Sequence, residues 1–148
     1  MITASASAAP NPSTSIPHPL GNVLLAEDDL ELTDLLSCFL RRRGYRVFSV
    51  RDGASLSRRV SDAAPEGPLP VIDVIVSDVY MPGIDGLVAL DQLRKQGHRI
   101  PTILMTAFGS DEMHARGCQL GAALVLDKPF DLEDLLRAVD DARFGRHE

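Results

Sequence analysis

The chain has 148 residues, of which 45% are hydrophobic and 24% charged, and its formal net charge is −6. That length and composition belong to one folded domain, not to a disordered chain. The acidic balance argues against nucleic-acid binding, which needs a basic face, and no apolar run approaches the roughly 18 residues of a membrane span.

Met1 to Leu20 carries no Asp, Glu, Lys or Arg and is rich in Ala, Ser and Pro. It lacks the basic and continuously apolar regions of a secretion signal. Pro10, Pro12, Pro17 and Pro19 oppose helix. The expected organisation is a disordered tail over 1–20 and one folded domain over 21–148.

Val23 to Ala26 reads as a buried strand. The helix after it carries an apolar stripe at Leu32, Leu35, Leu36, Phe39 and Leu40. Arg41-Arg42-Arg43 followed by Gly44 reads as its end, with cations at the negative pole and glycine beyond. Tyr45 to Val50 reads as a second, less covered strand. A weak helix with Leu56 and Val60 follows, stopped by the loop Pro65 to Pro70. Val71 to Val76 is the most strand-like run. Tyr80 to Gly86 is a loop into a helix with Leu87, Leu90 and Leu93. Ile100 to Met105 is the fourth strand, and Ser110 can cap the helix after it. Ala123 to Leu126 is the fifth strand. Asp131 is expected to cap the last helix, with the stripe Leu132, Leu135, Leu136 and Val139.

Strand and helix thus alternate through five short units. This pattern demands parallel strands, right-handed crossovers and helices on both faces of one sheet. The apolar runs of strands one, three, four and five fit a sheet covered on both sides. Cys38 and Cys118 are the only cysteines. They allow no disulfide framework, fit a reducing cytoplasm and are expected to be free, partly buried thiols. His18, His98, His114 and His147 are scattered away from the acidic clusters, so each is expected to be a surface histidine.

Ligands in such sheets bind at the carboxyl ends of the strands. Glu27, Asp28 and Asp29 follow strand one, Asp78 follows strand three, and Thr106 follows strand four. Asp127, Lys128 and Pro129 follow strand five. Carboxylates brought together repel, and a hard divalent cation such as Mg²⁺ relieves that. A carboxylate can also attack phosphorus and form an aspartyl phosphate. That transfer needs an in-line approach and neutralised oxygens, for which a metal, an ammonium and a hydroxyl are suited. Lys95 and Lys128 are the only lysines; every other cation is Arg. A compact lysine at position 128 suits a tight site.

Leu24-Leu25-Ala26-Glu27-Asp28-Asp29, Val76 to Gly86 with its D-x-x-M-P-x-x-D-G stretch, Met105-Thr106-Ala107 and Asp127-Lys128-Pro129-Phe130 carry a recognisable pattern. Together they resemble the receiver domain of bacterial two-component response regulators, from about Asn22 to about Phe144. The resemblance implies a flavodoxin-like (βα)5 fold with sheet order 2-1-3-4-5. It implies that Asp78 accepts a phosphoryl group from a sensor histidine kinase or a phosphotransfer protein. It places Mg²⁺ on Asp28, on Glu27 through water, on Asp78 and on the Tyr80 carbonyl. Thr106 matches the switch hydroxyl, and Lys128 the lysine that pairs with the phosphoryl group. The bond between Lys128 and Pro129 is expected to be cis.

The resemblance also implies a cytoplasmic switch that catalyses only its own phosphorylation and dephosphorylation. It would contact a downstream protein through the face of the fourth helix, fifth strand and fifth helix, without binding nucleic acid or membrane. Oligomeric state stays open. Three features depart from the family pattern. Glu27 stands where Asp is commoner. Val125 stands where Tyr or Phe often couples to the switch hydroxyl. Tyr80 and Phe108 are both large, and are expected to screen an acyl phosphate from water. A phosphorylation-independent interaction module, and a fragment of a longer regulator, are the alternatives. Nucleotide motifs are absent, and Tyr80 stands where an aspartyl-phosphate phosphatase has its second acid.

Overall fold

The computed structural model of the chain describes residues 19–63 and 67–145. The expected tail falls outside these residues up to position 18, as do His18, His147, Pro65 and Glu66.

The elements are β1 (Asn22–Ala26), α1 (Leu30–Arg42), β2 (Arg46–Val50), α2 (Gly53–Asp62), β3 (Val74–Asp78), α3 (Gly86–Lys95), β4 (Thr102–Thr106), α4 (Asp111–Gln119), β5 (Leu124–Asp127) and α5 (Leu132–Phe144). They form one five-stranded sheet in the order β2-β1-β3-β4-β5, with every pairing parallel. Alternating side chains of β1 enter opposite cores. Val23 and Leu25 pack with Leu36, Leu40 and Leu135 of α1 and α5. Leu24 and Ala26 pack with Leu56, Val60 and Leu93 of α2 and α3. Each fully buried leucine contributes about 1.5–3 kcal/mol relative to exposure. No helix among the described residues is long and apolar enough to cross a membrane.

Side-chain caps fix the helix starts. Asp29 accepts from Glu31 and Leu32, Asp52 from Ser55, Asp85 from Val88, and Ser110 from Met113. Asp131 differs from expectation: it stands at the N-cap of α5, but its side chain makes no cap bond. Its backbone carbonyl instead accepts from Asp134 and Leu135.

The third, fourth and fifth strands lie further along the chain than their apolar runs suggest, whereas the first two end at Ala26 and Val50 as expected. The third was expected over Val71 to Val76 and is Val74–Asp78. Asn22 holds the lead-in, giving its backbone N–H to Asp73 Oδ2 at 2.8 Å and its side-chain amide to the Val71 carbonyl at 2.8 Å. The strand then continues through polar Ser77 and Asp78, because these pair with Leu104 and Met105 of β4. β4 and β5 likewise end at Thr106 and Asp127. The polar residues expected just beyond three strands are therefore their last residues, fixed by the sheet itself.

Two expectations about cover fail. β5 is an edge strand with only Val125 buried, so its apolar run is not covered on both sides. Cys38 and Cys118 are exposed, not partly buried. The buried positions of α1 are Thr33, Leu36, Ser37 and Leu40, which leaves Cys38 and Leu35 turned outward.

At the opposite pole of the sheet from the strand ends, Arg143 Nε donates to the Leu20 carbonyl at 2.8 Å. Leu20 in turn gives its N–H to the Gly44 carbonyl. Gly21 allows this closure, since a Cβ there would lie 2.6 Å from Arg143 Nε.

Candidate functional site

The carboxyl ends of β1, β3, β4 and β5 bring Glu27, Asp28, Asp78, Thr106 and Lys128 to one rim. Glu27 and Asp78 are buried, while Asp28 is exposed. One carboxylate oxygen from each of Glu27, Asp28 and Asp78 lies within 4.8 Å of the others. Lys128 Nζ stands 3.0 Å from Glu27 Oε1 and 3.4 Å from Asp78 Oδ2. Glu27 Oε2 also accepts the Asp29 backbone N–H at 3.1 Å.

Burial raises the Asp78 carboxyl above its ordinary value, against the opposing charge of Lys128. Burial likewise raises Glu27, which the Lys128 hydrogen bond offsets only in part and the Asp78 charge reinforces. Burial pulls Lys128 down, but its hydrogen bond to Glu27 and the charges of Asp78 and Glu27 outweigh that and raise it. The cup is thus short of positive charge. Three converging hard oxygen donors fit Mg²⁺.

Local packing explains the D-x-x-M-P-x-x-D-G spacing. Asp85 caps α3, and Gly86 lies against the Asp78 backbone, where a Cβ would sit 2.3 Å from the Asp78 carbonyl oxygen. Ser77 Oγ donates to that same carbonyl at 2.9 Å. The loop between β3 and α3 carries Tyr80, the expected carbonyl ligand, two residues past Asp78. Met81 is buried against the α2–α3 core.

Thr106 is fully buried, and its Oγ1 accepts the Phe108 backbone N–H at 3.0 Å. Lys128 gives its own backbone N–H to the Thr106 carbonyl at 2.7 Å. The peptide bond between Lys128 and Pro129 is cis, as expected. Tyr80 and Phe108 are exposed and meet edge to face, with ring centroids 5.6 Å apart and planes at 76°. Val125 is buried where the family often carries an aromatic residue. α4 approaches it so closely that a Cβ on Gly117 would lie 2.7 Å from Val125 Cγ2.

Sequence reasoning missed one partnership at this rim. His114 of α4 is a surface histidine, as expected, but it has a partner: its Nε2 lies 2.9 Å from Asp127 Oδ1. An ionised carboxylate only accepts, so the ring nitrogen is the donor. Thirteen residues separate the two, and no local pattern joins them.

A sheet of this order, with an acid cup and a lysine at its carboxyl edge, defines a receiver-type signalling domain. The profile of the response regulator receiver domain matches residues 23–140, and the chain belongs to that family. It is 38% identical over 121 residues to the transcriptional activator protein PfeR of Pseudomonas aeruginosa, covering 82% of this chain and 36% of that protein. It is 35% identical over 120 residues to the transcriptional regulatory protein CpxR of Escherichia coli, covering 81% of this chain and 48% of CpxR. The chain therefore spans half or less of the length of these relatives. Among solved structures, the receiver domain of Francisella response regulator 1452 has a TM-score of 0.77 and 28% identity, covering 86% of this chain and 99% of that one. The chemotaxis response regulator CheY4 of Vibrio cholerae has a TM-score of 0.72 and 29% identity, covering 82% and 98%.

Proposed function

We propose that this receiver domain is a phosphoryl-operated switch whose acceptor is Asp78. The observation that carries the reading is the position of the buried Asp78 carboxylate, 3.4 Å from Lys128 Nζ and within 4.8 Å of the Glu27 and Asp28 oxygens.

In the forward step an Asp78 oxygen attacks the phosphorus of a phosphohistidine. The O–P bond forms, the N–P bond breaks, and the imidazole nitrogen keeps the bonding pair. Glu27, Asp28, Asp78 and the Tyr80 carbonyl would hold Mg²⁺, which supplies positive charge against the phosphoryl oxygens. Lys128 already faces Asp78 and can exchange Glu27 for a phosphoryl oxygen. Thr106 uses its oxygen as an acceptor toward Phe108, so its own hydroxyl proton is available to a phosphoryl oxygen after rotation about χ1. Water attack on the same phosphorus returns Asp78 and releases phosphate. Tyr80 and Phe108 slow that step by restricting water at the rim.

The proposed donor is a sensor histidine kinase or a phosphotransfer protein in the cytoplasm. The proposed output is a protein contact on the face of α4, β5 and α5. The test is intact-mass measurement after incubation with Mg²⁺ and acetyl phosphate. One phosphoryl group is expected on the wild type and none on Asp78→Asn. A wild type that gains no mass, or an Asp78→Asn variant that gains as much, sinks the reading.

A further inference from the structure

Resting on that reading, we propose that His114 and Asp127 form a clasp holding α4 and the β4–α4 connection in their unphosphorylated arrangement, and that phosphorylation acts by loosening it. Of the α4 residues only Gly117 is buried, whereas α1 buries four. Few buried contacts make α4 an element that opens at low cost. It meets β5 where Gly117 approaches Val125 and where His114 reaches Asp127.

The connection from β4 lies directly on that second contact. A Cβ on Gly109 would fall 1.8 Å from Asp127 Oδ1 and 3.0 Å from His114 Nε2. The other end of the same short segment is tied to the switch hydroxyl, since the Phe108 N–H donates to Thr106 Oγ1. Phe108 and Gly109 are neighbours, so a Thr106 hydroxyl that turns to a phosphoryl oxygen leaves the Phe108 N–H without its acceptor. The segment that moves in response bears on Asp127 and His114. Asp127 itself is held in place, because it pairs with Thr106 across the sheet and Lys128 bonds the Thr106 carbonyl. The moving parts are therefore the connection and α4. Val125 is buried and short, so it offers no swinging side chain for this linkage. His114 and Asp127 supply it instead, as positioning residues.

Amide hydrogen exchange over residues 108–119 in the full chain tests this, with intact mass scoring Asp78 phosphorylation separately in every sample. In unmodified protein, His114→Ala is expected to speed exchange about two- to tenfold, the range of one net hydrogen bond. Gly109→Ala is expected to do the same, since its Cβ meets only the tip of the Asp127 side chain and the His114 ring, which can move aside without unfolding. His114→Gln keeps a donor and is expected to stay near wild type. Phosphorylation is expected to speed exchange in the wild type and to add little in His114→Ala. The clasp is wrong if His114→Gln behaves as His114→Ala does, or if phosphorylated His114→Ala shows the full wild-type increase. Because the first arm uses unmodified protein, a failure of Asp78 to accept phosphate is seen apart from a failure of the clasp.

Discussion

Lys128 Nζ lies closer to Glu27 than to Asp78, at 3.0 Å against 3.4 Å. The longer acid, at a position where the family more often has Asp, thus holds the lysine in the resting domain. Removing the lysine leaves two buried acids without a counter-charge. Lys128→Met is expected to destabilise the metal-free protein toward the low end of the about 3–5 kcal/mol typical of a broken buried pair. The low end applies because the Lys128 side chain is 21% exposed and the acids can take up protons. The urea midpoint near neutral pH measures this, and added Mg²⁺ should recover part of it.

The raised carboxyls give stability a defined pH slope. A group raised on folding stabilises the fold below its unfolded value and loses that contribution as pH climbs through its folded value. Glu27 and Asp78 are both raised, so metal-free protein loses their contribution as pH rises out of the ordinary carboxylate range. Lys128 is raised too, so its contribution is lost only in the alkaline range. Mg²⁺ needs ionised ligands, so its stabilising effect should be larger at about pH 8 than at about pH 5. At a metal concentration 100-fold above Kd the gain is about 2.7 kcal/mol. Thermal melts with and without MgCl2 at both pH values check the sign.

Tyr80 and Phe108 touch each other, so either one alone should disturb the screen. Tyr80→Ala and Phe108→Ala are each expected to speed loss of the phosphoryl group severalfold. The double variant should be no faster than the sum of the two in free energy, and slower if the pair acts as a unit. Phosphate release from pre-phosphorylated protein measures this, and unchanged rates in the double variant remove any screening role.

Restoring the aromatic at position 125 should fail. Gly117 and Val125 leave no gap, so Val125→Phe overpacks the contact between α4 and β5 and is expected to cost about 1–3 kcal/mol. Gly117→Ala should cost a similar amount from the other side. A lower urea midpoint with an unchanged slope is the expected signature.

What the chain reveals before folding follows from which forces are local. Apolar runs and Asp or Ser caps show as patterns, so every element and the acid rim could be placed. The ends of β3, β4 and β5 could not, because Ser77, Asp78, Thr106 and Asp127 are strand residues only through pairing with distant neighbours. The exposure of Leu35 and Cys38 depends on which helices lie beside α1, which periodicity does not encode. The meeting of His114 with Asp127 depends on how near α4 sits to β5, which Gly117 decides by lacking a side chain.

The bond from Arg143 to the Leu20 carbonyl holds the two ends of the described fold beside each other. A circular permutant that splices residue 144 to residue 20 through a short spacer, and opens instead beside the unobstructed Gly97, should retain the whole carboxylate cup. Such a permutant is expected to move the covalent starting point of the domain and to leave its chemistry where the sheet puts it.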